Sequence, residues 1–190
     1  MVDKTRHIQQ PVIEAIKEFD PADLDDLCEA AEEAILDGNG FGWLTPPRRS
    51  VQENFWKGVL MVPVRELYCA RFEGRIVGSG QLVKPFPNNE AGAHIAQVAT
   101  FFIAPYARGY GLAIGLLAVI ENSAREQGFK ILEVDVRETQ TAAISLLEAN
   151  GYDKWATKTN YAWNGERYVD GYYYKKELAE LKRDESLSGN

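Results

Sequence analysis

The first part of the chain changes from a strand-like to a helix-like pattern of apolar positions. Apolar and polar residues alternate over 11–19, which predicts a β-strand. The segment DPAD at 20–23 combines a capping aspartate with a proline at the first helical position, as helix starts often do. Apolar residues then recur at helical spacing over 24–35, and GNG at 38–40 predicts the end of this helix.

A second helix and an antiparallel meander are predicted next. The segment SVQE at 50–53 has the pattern of a capping box, so we expect the second helix to begin there. The segments 66–72 and 75–83 are rich in residues that favour strands and are separated by a Glu-Gly turn, which predicts a hairpin. A third strand of this run is predicted over 93–104, where a proline follows it.

The last part of the chain alternates between predicted strands and helices. Residues 108–127 carry apolar positions on one helical face, which predicts a third helix. We expect a strand over 131–136, a fourth helix over 141–150 and two strands in the tyrosine-rich remainder. This order predicts a mixed α/β sheet in one domain, assigned to residues 1–178, and a charged tail at 179–190 that frays.

Composition narrows the classes of function. Of the 190 residues, 45% are apolar and 26% charged, which is typical of a soluble globular protein. The net charge of −7, without a cluster of Lys and Arg, argues against a nucleic-acid partner. No signal peptide or membrane-spanning run is evident, so we expect no membrane partner and a cytoplasmic location. Cys28 and Cys69 match no metal-ligand spacing and are interpreted as reduced core residues, so no metal is expected.

The stretch APYARGYGLAIG at 104–115 places three glycines between a predicted strand and a predicted helix. Backbone N–H groups at a helix N-terminus lack intrahelical partners and carry positive potential, so such a turn suits a phosphate. Gly109 and Gly111 would let the backbone approach the anion, and Arg108 adds a permanent charge. Gly115 lies better placed for packing the helix against the sheet. A tight turn that binds no ligand is the alternative.

A dinucleotide site is a further alternative for the same turn. The glycine spacing is close to the dinucleotide-binding fingerprint, and Asp135 lies on the following strand where a ribose-binding acid is expected. Against this interpretation, the turn follows an antiparallel meander. Too little chain remains after it for a second nucleotide-binding half.

Several segments resemble the GNAT superfamily of acetyl-CoA-dependent N-acetyltransferases. The segment RGYGLA at 108–113 matches the signature Gln/Arg-x-x-Gly-x-Gly/Ala, and the resemblance extends to 101–117 and to VRETQTAAISLLEANGY at 136–152. The segment 37–56 looks loosely similar to the N-terminal helical region of the tabtoxin-resistance type. The resemblance implies an α/β fold with a mixed, mostly antiparallel sheet of about seven strands, splayed between the fourth and fifth, and about four helices.

The resemblance implies acetyl-CoA as co-substrate. In this family the glycine turn holds the pyrophosphate, and the pantetheine arm pairs with the fourth strand like a missing sheet strand. A backbone N–H at the end of that strand would stabilise the developing oxyanion. The residues assigned to the cofactor in this way are Phe101, Phe102, Ile103, Arg108, Gly109, Tyr110, Gly111, Leu112, Ala113 and Gln140.

Two positions depart from the family's catalytic pattern. Gln97 stands where the family often has a carboxylate, and an amide cannot accept the amine proton. Leu147 stands where a tyrosine commonly protonates the departing thiolate. Asp135, with Glu133 on the same face of the fifth strand, is therefore the candidate general base. Tyr152, Tyr161 or another C-terminal tyrosine is the candidate acid, and protonation by solvent is the alternative.

The identity of the acceptor is left open by the sequence. The resemblance places a small-molecule or peptide amine on the other side of the cleft and is compatible with a homodimer through the C-terminal strands. A catalytically idle acyl-CoA-binding module, acting as a sensor or interaction domain, is the alternative function. The residues assigned to the acceptor site are Phe41, Trp43, Gln97, Tyr161 and Tyr173.

Overall fold

The computed structural model describes residues 11–38 and 41–179 of the chain. In this part of the chain a seven-stranded sheet is flanked by four α-helices, with a short 3-10 turn at Pro105–Ala107. The helices are α1 (Pro21–Leu36), α2 (Arg49–Met61), α3 (Leu112–Glu126) and α4 (Thr141–Ala149). The strands are β1 (Val12–Ile16), β2 (Arg65–Phe72), β3 (Arg75–Val83), β4 (Ile95–Ile103), β5 (Ile131–Arg137), β6 (Asp153–Trp163) and β7 (Tyr168–Glu177).

The sheet is mostly antiparallel, with the strand order β1-β2-β3-β4-β5-β7-β6. Only the central pair, β4 and β5, is parallel among these neighbours. Helix α3 supplies the crossover that a parallel pair requires. The predicted α/β architecture, with a mixed sheet and four helices, is confirmed.

Helices cover both faces of the sheet. On one face, α1 and α2 bury a cluster that includes Leu27 and Trp56, both without solvent exposure. On the other face, α3 and α4 bury a second cluster that includes Leu116 and Leu147. Because side chains alternate along a strand, adjacent residues of β4 belong to different clusters. Phe102 lies in the first cluster and Ile103 in the second. The sheet is therefore held between two apolar layers.

Two predicted helix starts are wrong, each for a local reason. Helix α2 begins at Arg49 with Arg48 as its N-cap, and no side chain caps it, so SVQE does not form a capping box. Helix α3 begins at Leu112 and not at Arg108, because left-handed backbone at Gly109 and Gly111 interrupts the path into the helix. Residues 180–190 of the predicted tail lie outside the described residues.

The cysteines support the sequence interpretation. Cys28 and Cys69 are both free and buried, which confirms that they are reduced core residues. Burial raises the pKa of the Cys28 thiol to about 11, so this sulfur is not a reactive thiolate. No helix in the described ranges is long and apolar enough to cross a membrane. The same ranges contain no cluster of His, Cys, Asp and Glu suited to a metal ion.

Candidate functional site

The centre of the sheet opens where β4 and β5 part. The two strands are paired only from Ile95 with Ile131 to Gln97 with Glu133, and their later residues have no cross-strand partners on each other. Just beyond this point Thr100 adopts a left-handed φ of 48°, and the pairing of β4 with β3 is irregular there. A bulge of this kind bends a strand and increases its twist. The result is a wedge-shaped gap between β4 and β5, where two cavities meet.

The first cavity, called here the turn cavity, has a volume of about 790 Å³. It is bounded by the end of β4, the glycine turn, the start of α3 and the start of α4. Nine of the ten predicted cofactor residues line it: Phe101, Phe102, Ile103, Arg108, Gly109, Gly111, Leu112, Ala113 and Gln140.

The glycine turn presents unpartnered backbone donors to the turn cavity. Gly109 has φ of 87° and Gly111 has φ of 77°, and a Cβ atom at either position would point into open space. The first intrahelical bond of α3 runs from the Gly115 N–H to the Gly111 carbonyl. Within the described residues, the N–H groups of 109–114 have no hydrogen-bond acceptor in the chain. Such a row of free amides at a helix start is suited to an anion.

Arg108 is held in place at the mouth of the turn cavity. Its Nε donates to the Ile103 carbonyl at 3.3 Å, and its Nη1 lies 2.9 Å from Oδ2 of Asp37. Asp37 follows the last residue of α1 and lines the same cavity. Asp37 has no recognisable signal in the sequence, since an acid at the end of a helix does not indicate a partner far along the chain.

The second cavity, called here the acceptor cavity, has a volume of about 660 Å³. It lies in the gap between β4 and β5 and is closed by the 41–44 segment and by the end of β6. Phe101, Gln140, Ala143 and Leu146 line both cavities, so the two meet at these residues. Of the predicted acceptor residues, Phe41, Gln97 and Tyr161 line this cavity.

Asp135 lines the acceptor cavity and is paired with a tyrosine hydroxyl. The Tyr161 hydroxyl donates a short hydrogen bond to Oδ2 of Asp135. Burial and this bond raise the pKa of Tyr161 above its ordinary value, so its hydroxyl keeps the proton. Among the described residues that line the acceptor cavity, Asp135 is the one carboxylate.

Arg137 lies two residues after Asp135 and links β5 to the 41–44 segment. Its Nη2 donates a short hydrogen bond to the Phe41 carbonyl, and both residues line the acceptor cavity. The Phe41 ring packs edge-on against Phe102, with 5.0 Å between ring centroids. Arg137 was not among the predicted site residues, although alternation along a strand places it on the same face as Asp135.

Five of the predicted site residues do not line either cavity. Trp43 packs behind Phe41, with its ring 5.2 Å from Phe55 of α2. Tyr110 packs on Phe72, with 4.6 Å between ring centroids, so its side chain anchors the turn from outside. The remaining three are Glu133, Tyr152 and Tyr173.

These three residues have other surroundings. Glu133 lies opposite Gln97 in the paired part of β4 and β5, before the strands separate. Tyr173 packs edge-on against Tyr161, with 6.2 Å between ring centroids, and so stands behind it. Tyr152 is buried in the core between α3, α4 and β7, where burial and the nearby Glu121 carboxylate raise its pKa. The structure therefore separates Tyr152 from the gap in the sheet.

The fold and the site together define a class. An open sheet parted between two parallel central strands, with free amides at the following helix, is the architecture expected of an acyl-CoA-using acetyltransferase. The sequence profile of the Acetyltransferase (GNAT) family matches residues 26–152, and the chain belongs to this family. The mostly antiparallel sheet is not the doubly wound parallel sheet of a dinucleotide-binding fold, and Asp135 lines the acceptor cavity instead of the turn cavity.

Known proteins similar to this chain carry the same description. An uncharacterized N-acetyltransferase from Azospirillum brasilense, from the hisH-hisA intergenic region, is 52% identical over 128 residues, which are 67% of this chain and 76% of that protein. An N-acetyltransferase structure from Staphylococcus aureus Mu50 has a TM-score of 0.76 at 18% identity, covering 90% of this chain and 99% of that one. An acetyltransferase structure from Salmonella typhimurium with acetyl-CoA has a TM-score of 0.74 at 16% identity, covering 92% and 97%.

Proposed function

We propose that this protein transfers the acetyl group of acetyl-CoA directly to the amine of a small molecule or peptide in a ternary complex. When bound, acetyl-CoA supplies an acetyl thioester. The amine nitrogen forms a bond to the acetyl carbon, and the carbon–sulfur bond breaks. The products are an N-acetylated acceptor, CoA thiol and one proton.

The observation that carries this proposal is the row of free amides at 109–114 on the wall of the turn cavity. Their positive potential and the nearby Arg108 suit the diphosphate of the cofactor. The open space beside Gly109 and Gly111 leaves room for phosphate oxygens, which a side chain would occupy. The turn cavity then leads past Phe101 and Gln140 to the acceptor cavity, so the thioester end would meet the amine where the two cavities join.

Asp135 is the proposed general base. An alkylammonium, with a pKa of about 10, must lose a proton before it can attack. Asp135 is suited to accept this proton because it lines the acceptor cavity, and Tyr161 fixes the orientation of its carboxylate. Gln97 lines the same cavity and contributes an amide for hydrogen bonding in place of a base.

The leaving thiolate is proposed to take its proton from solvent. Leu147 lines the acceptor cavity and offers no proton, and Tyr152 lies in the core away from both cavities. Tyr161 holds its proton tightly, because its pKa is raised by burial and by Asp135. A thiol of pKa about 8 to 9 is a reasonable leaving group without an acid.

The proposal is tested by CoA binding and by thiol release. Calorimetry should detect binding of acetyl-CoA, and Gly111→Val should abolish it, because the new side chain fills the space proposed for the diphosphate. Gly165→Val is the matched control, since Gly165 also has a positive φ and open space around it but lies in the β6–β7 turn. Loss of binding in both variants, or in neither, would contradict the placement of the cofactor.

Thiol release from acetyl-CoA with a panel of amines separates an enzyme from an acyl-CoA sensor. Turnover that depends on an amine is the expected result. Binding without amine-dependent release would support the idle module instead. Asp135→Asn should lower kcat by about 100-fold or more while acetyl-CoA affinity stays the same, because the amide keeps the shape but cannot accept a proton. An unchanged kcat would remove Asp135 as the base.

A further inference from the structure

Strand β5 contributes one acidic and one basic side chain to the wall of the acceptor cavity. Asp135 and Arg137 both line it and are separated by one residue of β5. Side chains two apart on a strand point to the same face, with Cα atoms about 6.6 Å apart. The Arg137 head group reaches the Phe41 carbonyl across this cavity, and the Asp135 carboxylate accepts from Tyr161. Both charged groups therefore lie at the wall of the space proposed for the acceptor.

Neither charge is neutralised by an ion pair within the described part of the chain. The partner of Asp135 is a hydroxyl and that of Arg137 is a carbonyl, and neither residue forms a salt bridge. Arg167, which lies in the turn between β6 and β7, pairs instead with Glu138 at 3.1 Å. Arg137 has five N–H donors, of which one serves Phe41, so donors remain for an anion. A planar guanidinium suits a carboxylate in particular.

We propose that the acceptor is a free amino acid, whose ammonium group lies against Asp135 and whose carboxylate is bound by Arg137. This inference rests on the proposed acetyl transfer and names the substrate class for it. An amino acid carries its ammonium and carboxylate groups on one carbon, so the two groups can contact an acid and a base that lie two residues apart on the same face of one strand. A peptide N-terminus carries no carboxylate next to its amine and would leave the Arg137 guanidinium without an anionic partner.

The remainder of the acceptor cavity favours an apolar side chain on this amino acid. Phe41, Leu44 and Trp163 line it around the charged pair. Leu44 and Trp163 are 49% and 44% exposed, so they have apolar surface that a bound side chain can cover. Among proteinogenic amino acids, phenylalanine and leucine are the first candidates.

The first experiment compares acceptors that differ only in the carboxylate. Thiol release is measured with phenylalanine, phenylalaninamide and phenethylamine, and with leucine and isopentylamine. The amino acids should show a kcat/KM at least tenfold above that of their counterparts that lack the carboxylate. Equal rates, or faster acetylation of phenylalaninamide or of the amines, would overturn the amino-acid acceptor while leaving acetyl transfer intact. Absence of turnover with every amine would overturn the proposed function and this inference with it.

The second experiment tests Arg137 by substitution. Arg137→Met should lower kcat/KM for the amino acid at least tenfold more than it lowers kcat/KM for the decarboxylated amine. Arg137→Lys, which restores a charge but not the fork of donors, should recover part of the loss. Arg167→Met is the control, because it removes an arginine that is paired with Glu138 and does not line the cavity. Equal losses on both substrates would assign Arg137 only a structural role at Phe41 and overturn the proposal.

Discussion

At the scale of residues, the position of Tyr161 depends on neighbours that carry no catalytic chemistry. Asn160 adopts a left-handed φ of 54°, and its N–H donates to the Asp170 carboxylate at 3.1 Å. The pairing of β6 with β7 is shifted at this point, which brings Tyr161 over β7. Gly171 leaves room for the ring, since a Cβ atom there would lie 2.3 Å from Cγ of Tyr161. Tyr161 can therefore reach Asp135 from a neighbouring strand.

Gly171→Ala tests this arrangement. The added methyl group must displace the Tyr161 ring by about 1 Å, and such displacements in an active site can cost about 100-fold in rate. We expect a large loss in kcat with an unchanged affinity for acetyl-CoA. In a Tyr161→Ala background the same substitution should have little further effect, which a double-mutant cycle would detect. Gly58→Ala is the control, because a Cβ atom at Gly58 meets nothing within 4 Å.

The raised pKa of Tyr161 predicts its behaviour at high pH. An elevated pKa means that the neutral hydroxyl persists above the ordinary value of about 10. Ultraviolet titration at about pH 10.5 should therefore give the same tyrosinate signal for the native protein and for Tyr161→Phe. In denaturant, where burial and the bond to Asp135 are lost, the variant should show one tyrosinate fewer. A lower signal for the folded variant would contradict the bond to Asp135.

At the scale of elements, helix α3 faces the turn cavity at its start and is fixed to the sheet near its end. Its first turn presents free amides to the turn cavity, and further along Glu121 lies 2.8 Å from Lys176 of β7 and 3.0 Å from Arg125. The Glu121 side chain is only 8% exposed. This ion pair fixes α3 to β7 beside the paired part of β4 and β5, because Lys176 lies opposite Leu132.

Glu121→Ala should destabilise the fold. Removing Glu121 leaves the partly buried Lys176 ammonium without its carboxylate, and we expect a loss of about 1 to 3 kcal/mol in the free energy of unfolding. Denaturant unfolding monitored by circular dichroism measures this change. Glu126→Ala, at an exposed position of the same helix, should change stability by less than about 0.5 kcal/mol. Equal losses in the two variants would show that the Glu121 ion pair does not stabilise the fold.

At the scale of the whole molecule, the candidate site exists because β4 and β5 are paired along only part of their length. β4 and β5 are paired at three positions, after which they separate. The turn cavity is lined by residues of β4, α3 and α4, so a bound cofactor would contact elements from both halves of the sheet. Ligand binding should therefore stabilise the whole domain.

Thermal unfolding with coenzyme A tests this expectation. At a concentration 100 times its Kd, a ligand that binds only the folded state adds about 2.7 kcal/mol of stability. For a chain of this size that corresponds to a Tm increase of about 5 to 10 °C. Gly111→Val should show no such increase, whereas Gly165→Val should show it in full. An increase of the same size in both variants would locate the ligand elsewhere.

The sequence by itself predicted what depends on local pattern. Periodicity indicated every strand and helix in order, and the RGYGLA segment indicated both the family and the turn that presents free amides. Local signals were less reliable for helix starts, because SVQE caps nothing and the glycine conformations delay α3 to Leu112. These errors concern backbone angles that residue types favour but do not fix.

The tertiary structure alone decided which side chains meet across the gap. Arg137 contacts Phe41, Arg108 contacts Asp37, and Tyr161 contacts Asp135 over long separations in sequence. Tyr152 lies in the core although it follows the family's glycine, because Glu121 and α4 surround it. Such contacts depend on where strands separate and bulge, which alternation and spacing cannot encode. Sequence thus determined the elements and the glycine turn, and tertiary packing determined which side chains line the acceptor cavity.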